Sequence, residues 1–367
     1  MSENITNECS KIKKHKHDLG QFFTTNYEKI LDGMDVLFLK WMNEKRIEKI
    51  IEPFCGNGIL LHFIWKLSSQ LLTPLSYYCY DIEPQIEASI SSQHHVVKQD
   101  TLLNPPNYLN SFILTNPPYL ARNKSEKKEI FDKYQENDLY KCFLKEIIVN
   151  KCHGGILILP LNFLSSIRKT DVELRAMFLR VYKIEKINIF EEQVFEDTKT
   201  SICSIFFVDR GQGGGFAAAA EELNEQNNYL FGGEIYNLKL KNNHDILRLT
   251  KKNISEHTAT NILVKCIDDK HTPINMKIVL PSEIYVDNTE KSSDRTYMTL
   301  IIFNKKKQEY LDSEKQKKLV DLFNDFLQEK RRKYNSLFLP SYREGTRKRI
   351  SFGLVFQITE FILDQYF

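Results

Sequence analysis

The chain has 367 residues, room for two domains at roughly 100–200 residues each, and with 42% hydrophobic residues it can bury a core in both. Its 51 lysines and arginines nearly cancel its 48 acidic residues, so bulk charge alone does not indicate a polyanionic partner. Seven cysteines without a CxxC pair, a polar start and no apolar run near ~18 residues argue against a disulfide scaffold, a secretory leader and a membrane span, and the expectation is an intracellular protein with reduced thiols.

In chain order, residues 1–17 read as a basic disordered tail. From 18 to 210, short β-rich runs ending in Gly, Pro or Asp alternate with helical stretches. The runs are KIIEPF (49–54), YYCYDI (77–82), HVVKQD (95–100), FILTNP (112–117) and GILILP (155–160), and helices are expected over 59–70, 126–151 and 171–182. This alternation predicts an α/β domain with a mainly parallel sheet. IEKINIF (184–190) and TSICSIFFVD (200–209) lie too close for a long helix between them and read as a terminal antiparallel hairpin. GQGGGFAAAAEELNEQNN (211–228) is low in complexity and reads as a linker. Residues 229–367 are mixed α+β, with a helix over 312–333, a loop over 335–349 and an apolar closing helix over 352–366.

Four successive strand ends carry a polar residue or a glycine turn. In IEPFCGNG (51–58), Gly56 and Gly58 let the backbone turn sharply and pass close to a ligand. Asp81, at the second strand end, suits a ribose diol, and Asp100, at the third, suits an exocyclic adenine amine; Asn116 ends the fourth. A P-loop is excluded because no GKS or GKT follows, and a dinucleotide fingerprint is excluded because Ile59, Leu60 and Leu61 follow Gly58. The pocket therefore suits a nucleoside-like cofactor without phosphates. The histidines lack convincing ligand partners in sequence, and no metal is expected.

The succession LGQFFTT (19–25), IEPFCGNG, YDIEP (80–84), KQD (98–100) and TNPPY (115–119) resembles the S-adenosylmethionine-dependent DNA adenine-N6 methyltransferases, in particular the group with the LGQFFT motif first and the target-recognition domain last. The likeness covers about residues 18–210. It implies a Rossmann-like methyltransferase sheet followed by a mixed α+β DNA-recognition domain, with S-adenosyl-L-methionine as cofactor. By the same resemblance, Phe23 and Thr24 line its methionine end, Glu52 meets its amino group, Asp81 binds the ribose, Ile82 packs on the adenine and Asp100 accepts from the adenine amine. Thr101 departs from an apolar position of the family.

The chemistry of the NPPY stretch fits. An adenine amino nitrogen is a poor nucleophile because its lone pair is delocalised into the ring. Two acceptors aimed at its N–H groups, the Asn116 side-chain oxygen and the Pro117 carbonyl, would pull it toward tetrahedral geometry. The prolines hold those acceptors ready. Tyr119 offers a stacking face for a base flipped out of the duplex. Phe195, in EEQVFEDTKTSICSIFFV (191–208), resembles the family's second aromatic wall, and Lys199 is placed to touch a phosphate.

Between 301 and 350 stand about 14 lysines and arginines against about 7 acidic residues. Arg331, Arg332, Arg343, Arg347, Lys348 and Arg349, interleaved with Tyr334, Phe338 and Tyr342, are the candidate contacts to double-stranded DNA. No PD…(D/E)xK constellation marks a fused nuclease. The expectation is a monomeric site-specific methylase, the modification half of a restriction–modification system whose endonuclease is a separate protein. The competing readings are a methyltransferase acting on RNA or on a release-factor glutamine, cytosine-N4 methylation, and a catalytically inactive DNA-binding module.

Overall fold

The computed structural model describes residues 20, 24–86, 94–166, 168–190, 194, 201–211, 238, 240–269, 272–288, 296–333, 341–342 and 348–367. They divide into two compact units, one drawn from Met1–Phe163 and Lys169–Asn227, the other from Leu164–Arg168 and Asn228–Phe367. The expected tail 1–17, and the expected linker beyond Gly211, lie outside the described residues. Among the described residues no helix is long and apolar enough to cross a membrane.

The first unit is built on a seven-stranded sheet: β1 (Lys49–Glu52), β2 (Ser76–Asp81), β3 (His94–Lys98), β4 (Phe112–Thr115), β5 (Gly154–Pro160), β6 (Tyr182–Phe190) and β7 (Ile202–Asp209). The spatial order is β3-β2-β1-β4-β5-β7-β6. β1 to β5 pair in parallel, and β7 is antiparallel to both β5 and β6. This is the α/β, Rossmann-like sheet expected from the sequence. The expected hairpin is present, but its second strand is not terminal: β7 is inserted between β5 and β6. Burial gives the physical reason, since β7 is buried along all but its last residue, whereas the true edge, β6, alternates with half-buried positions.

The helices of this unit are α1 (Tyr27–Ile30), α2 (Asp35–Lys45), α3 (Leu61–Leu67), α4 (Glu129–Tyr134), α5 (Leu139–Val149) and α6 (Lys169–Val181). Ile30, Phe38, Met42, Phe63 and Ile64 from α1 to α3 share a core with Ile50, Phe112, Ile156 and Phe206 of the sheet. On the other side Phe143 of α5 meets Phe54 edge-on at 5.1 Å, and Phe178 of α6 meets Phe207 at 5.3 Å. The helix expected over 126–151 is two helices. Gln135 takes a left-handed φ of 54° and ends α4, and α5 starts afresh after Asp138. α2 was not anticipated, because its apolar side chains, from exposed Val36 to buried Phe38, are spread around the helix instead of marking one face.

β1 lies between β2 and β4, so the chain's progress across the sheet reverses there. The loops after β1 and β4 leave in different directions and open a crevice outside the carboxyl ends of the strands.

The second unit is mixed α+β. Its antiparallel sheet has the order β10-β9-β11-β12, with β8 also paired to β11; the strands are β8 (His244–Arg248), β9 (Ile262–Lys265), β10 (Asn275–Ile278), β11 (Tyr297–Asn304) and β12 (Glu309–Tyr310). The long helix α7 (Ser313–Lys333) lies on edge strand β10, where the Asn324 amide accepts from Met276 N and donates to Met276 O, both at 2.9 Å. That exchange mimics a neighbouring strand and blocks the open edge. A two-stranded pair, β13 (Ser341–Tyr342) with β14 (Lys348–Arg349), precedes the closing helix α8 (Phe352–Tyr366), which Ser351 caps by accepting from Leu354 N at 3.2 Å.

Candidate active site

The first unit contains a cavity of about 780 Å3 in the crevice beyond β1 to β4. Seven of the expected residues line it: Thr24, Glu52, Gly56, Asp81, Ile82, Asp100 and Asn116. Gly58, Pro117 and Tyr119 are not part of this lining, though each adjoins a lining residue in sequence. Phe23, Phe195 and Lys199 lie outside the described residues.

The glycine loop after β1 is tied to β2. Cys55 N donates to Tyr80 O at 2.9 Å and Gly56 N donates to Asp81 Oδ2 at 2.9 Å, while Glu83 N donates to Asp81 Oδ1 at 2.8 Å. One carboxylate thus orders two loops at the floor of the cavity. Gly58 has φ +72°, a left-handed backbone that favours glycine, and a Cβ there would press on the end of the Ile86 side chain at 2.6 Å. Asp100 Oδ1 accepts from Leu102 N at 3.0 Å and Leu103 N at 3.1 Å, forming an Asx turn that fixes the carboxylate at the cavity wall. Thr101, the departure noted in the sequence, is buried and donates its hydroxyl to Pro53 O at 3.0 Å; it knits the two loops together.

Glu52 is the most unusual group in the lining. It is 2% exposed, and its Oε2 has no hydrogen-bond partner. Burial, then Cys79 and Asp81 nearby, raise its carboxyl well above the ordinary carboxylate range. An orphaned buried carboxylate on a cavity wall is suited to a ligand cation, such as the amino group of an amino acid.

The upstream motif reaches the NPPY stretch through Gly20. Tyr119 N donates to Gly20 O at 2.9 Å, and Gly20 has φ +68° with its would-be Cβ 2.8 Å from Leu120 Cβ. Thr24 follows, and Asn116 Nδ2 lies 3.4 Å from its Oγ1. The Tyr119 hydroxyl reaches two acceptors, Asn116 Oδ1 at 2.5 Å and Ile158 O at 2.7 Å. Burial raises the Tyr119 phenol well above its usual value and keeps it protonated. Its ring meets Tyr140 edge-on at 6.2 Å.

Sequence reasoning missed Phe54, Leu102, Leu103, Ile130, Phe131 and Leu139, which contribute to the apolar part of the lining. Phe54 and Leu102 adjoin motif residues and could have been named. Ile130, Phe131 and Leu139 come from α4 and α5, whose inward faces depend on the break at Gln135.

In the second unit Arg331 is paired with Asp268 Oδ2, and Asp268 Oδ1 accepts from Ile274 N at 2.7 Å. Lys348 is buried, and its backbone oxygen accepts from Asp268 N at 2.9 Å. Arg332 is exposed and Arg349 half-buried, while Arg343 and Arg347 lie outside the described residues.

One histidine–carboxylate cluster, His244 with Glu360 and Asp364, has ligand-type atoms within 4.8 Å of one another. Asn304 Oδ1 accepts from Lys306 N and Lys307 N, both at 3.0 Å, so Asn304 turns its Nδ2 to His244 Nε2 at 3.1 Å. Nε2 is then the acceptor and the proton sits on Nδ1, 3.2 Å from Glu360 Oε2.

Solved structures similar to this chain include the modification subunit assigned to a type I restriction enzyme from Vibrio vulnificus YJ016, with 17% identity and a TM-score of 0.41 over 57% of this chain and 49% of that one. Another is assigned as a class I S-adenosylmethionine-dependent methyltransferase from Listeria monocytogenes, with 16% identity and a TM-score of 0.38 over 50% and 60% of the two chains. A third is a type I restriction-modification methyltransferase subunit from Streptococcus thermophilus, with 14% identity and a TM-score of 0.39 over 52% and 45%. The chain thus spans between 45% and 60% of the length of these structures. No curated protein matches it. Residues 107–195, which run from the approach to β4 through TNPPY to beyond β6, match the family model described as Eco57I restriction-modification methylase.

Proposed function

We propose that the protein is a restriction–modification DNA methyltransferase that moves a methyl group from S-adenosyl-L-methionine to N6 of an adenine flipped out of duplex DNA. The observation that carries this reading is the convergence of Glu52, Gly56, Asp81, Asp100 and Asn116 on one cavity in a segment of methylase family. The donor set fits the cofactor: an orphaned carboxylate for its ammonium, Asp81 for its ribose, Asp100 for its adenine amine, and an apolar wall including Ile82, Leu102 and Phe131. When bound, the cofactor supplies an electrophilic methyl group on a sulfonium.

In this mechanism Asn116 Oδ1 and Pro117 O accept the two N–H groups of the target amine and orient its lone pair; Pro118 has no N–H to compete for that carbonyl. Tyr119 and Phe195 hold the extruded base by stacking. The residues of the second unit select the site, with Arg332, Arg343, Arg347 and Arg349 contacting DNA and Lys199 adding a phosphate contact from the first unit. The enzyme acts as a monomer beside a separate endonuclease.

Purified protein incubated with duplex DNA and S-adenosylmethionine labelled on its methyl group tests this reading. Digestion of the DNA to nucleosides is expected to release the label as N6-methyl-2′-deoxyadenosine. Label found in N4-methylcytosine, or transferred only to RNA or protein, contradicts it.

A further inference from the structure

The segment that follows NPPY, residues 121–128 (ARNKSEKK), carries four cations and a single acid, Glu126. Two of the cations are spent on the segment itself. Arg122 Nη1 pairs with Asp132 Oδ1 at 2.7 Å, and Lys128 Nζ donates to Arg122 O and Ser125 O. The turn between them is closed by Lys124 N and Ser125 N, which donate to Ala121 O at 2.9 Å and 3.3 Å, and by Ser125 Oγ, which donates to Lys127 O at 2.8 Å. Both ends are braced. Arg122 N donates to Asn137 O at 2.9 Å ahead of α5, and from α4 Lys133 Nζ donates to Leu102 O at 2.7 Å.

Lys124 and Lys127 are left over. Both are exposed, both line the cavity, and among the described residues neither ammonium has an ion-pair or hydrogen-bond partner. The acids deeper in the same lining, Glu52, Asp81 and Asp100, suit a cationic ligand. Two unspent ammonium groups on a braced turn at the solvent side suit an anion that arrives from outside. The carboxylate of the cofactor is a poor match. It shares a carbon with the ammonium group assigned to buried Glu52, whereas these lysines stand on the wall tied through Leu102 O to the Asp100 turn. A nucleotide extruded into the cavity leaves its two flanking phosphates at the mouth, each with a full negative charge. We propose that Lys124 and Lys127 hold the phosphates flanking the extruded nucleotide, so that the first unit itself grips the DNA backbone beside the NPPY acceptors. This inference rests on the proposed DNA chemistry.

The test compares four proteins: wild type, Lys124→Gln/Lys127→Gln, Lys124→Arg/Lys127→Arg, and a control, Lys40→Gln/Lys151→Gln, whose lysines are exposed and outside the cavity lining. Binding of fluorescent duplex DNA is measured by anisotropy between about 50 and 200 mM salt. In the glutamine variant the affinity is expected to fall about 10-fold, and the slope of log K against log salt to shrink by about 1.8, as two phosphates keep their counterions. The arginine variant and the control should keep both values. Tm and the calorimetric affinity for S-adenosylmethionine should match the wild type in all of them. An unchanged slope in the glutamine variant overturns the proposal. So does a loss of cofactor affinity with DNA binding intact, which assigns the lysines to the cofactor carboxylate. The position of the contact is read on a duplex whose target adenosine, located by sequencing the methylated DNA, is flanked by uncharged methylphosphonates. There the glutamine variant should bind within about twofold of the wild type; a full 10-fold loss means that the lysines meet other phosphates, and overturns the proposal. If the wild type neither binds nor methylates DNA, the proposed function fails and this proposal with it, a result distinct from DNA bound with an unchanged slope.

Discussion

Gly56 N donates to Asp81 Oδ2 over 2.9 Å, binding the glycine turn after β1 to the carboxylate that closes β2. The other oxygen, Oδ1, accepts from Glu83 N at 2.8 Å, so a residue expected to bind a ribose also builds the loops around it. Asp81→Ala should therefore damage both functions. Losing the ribose contact and leaving two loop N–H groups without their acceptor should weaken cofactor binding by about 10- to 100-fold. Calorimetric titration with S-adenosylmethionine measures the loss, and thermal unfolding should show a parallel drop in Tm.

Cofactor binding should release a proton through Glu52. Burial, with Cys79 and Asp81 near, raises this carboxyl well above its ordinary range, so without a bound cation it holds its proton as pH rises past the usual carboxylate value. Meeting an ammonium group requires the ionised form. Affinity should consequently increase as pH rises above the ordinary carboxylate range, with heats that depend on the ionisation enthalpy of the buffer. Glu52→Gln should flatten this dependence and weaken binding by about 10-fold. The same titration in two buffers checks both effects.

Asp138 predicts a stability profile. Its carboxyl is pushed up to about 7 by burial, against the pull of Lys141 and of backbone N–H groups, and its Oδ1 has no hydrogen-bond partner. The unfolded chain gives up this proton near 3.8, so between these values the folded protein binds more protons than the unfolded. The contribution to stability is complete below that lower value and is lost as pH rises toward 7. Asp138→Asn should remove the loss: relative to the variant, the wild-type Tm should fall by roughly 2–4 °C or more between about pH 4.5 and about pH 8. Thermal unfolding of both proteins across that range measures the difference.

Arg331 and Arg332 should separate stability from recognition. Arg331 is paired with Asp268, which also holds Ile274 N, so Arg331→Ala should lower the Tm of the second unit's unfolding by several degrees, a loss of about 1–3 kcal/mol. Arg332 is exposed, and among the described residues its Nε reaches Gln328 O at 3.4 Å. Arg332→Ala should leave Tm unchanged while weakening DNA binding and reducing its salt dependence by about one unit of slope. Fluorescence anisotropy with duplex DNA at several salt concentrations checks the second effect.

Much of the first unit was legible because parallel strands buried on both faces read as short apolar runs, and KIIE, FILT and GILILP stand out on that ground. The site was legible for a related reason. Ligands of such sheets meet the residues just after the strands, so Glu52, Asp81, Asp100 and Asn116 could be found by counting to the end of each run. What could not be read depends on tertiary context. The break at Gln135 needs a left-handed residue that no glycine announces. The insertion of β7 between β5 and β6 is a choice of pairing that strand sequences alone leave open. The pairing of Arg331 with Asp268 joins residues 63 positions apart, so a basic run that looked uniform is divided in use.

The central claim is tested most directly by expressing the protein in a bacterial host that lacks DNA methylation and reading the host genome by single-molecule sequencing, beside an Asn116→Ala control. The account predicts N6-methyladenine in one short sequence context, absent in the control. Unmodified DNA from cells in which the protein is folded and binds S-adenosylmethionine would contradict it.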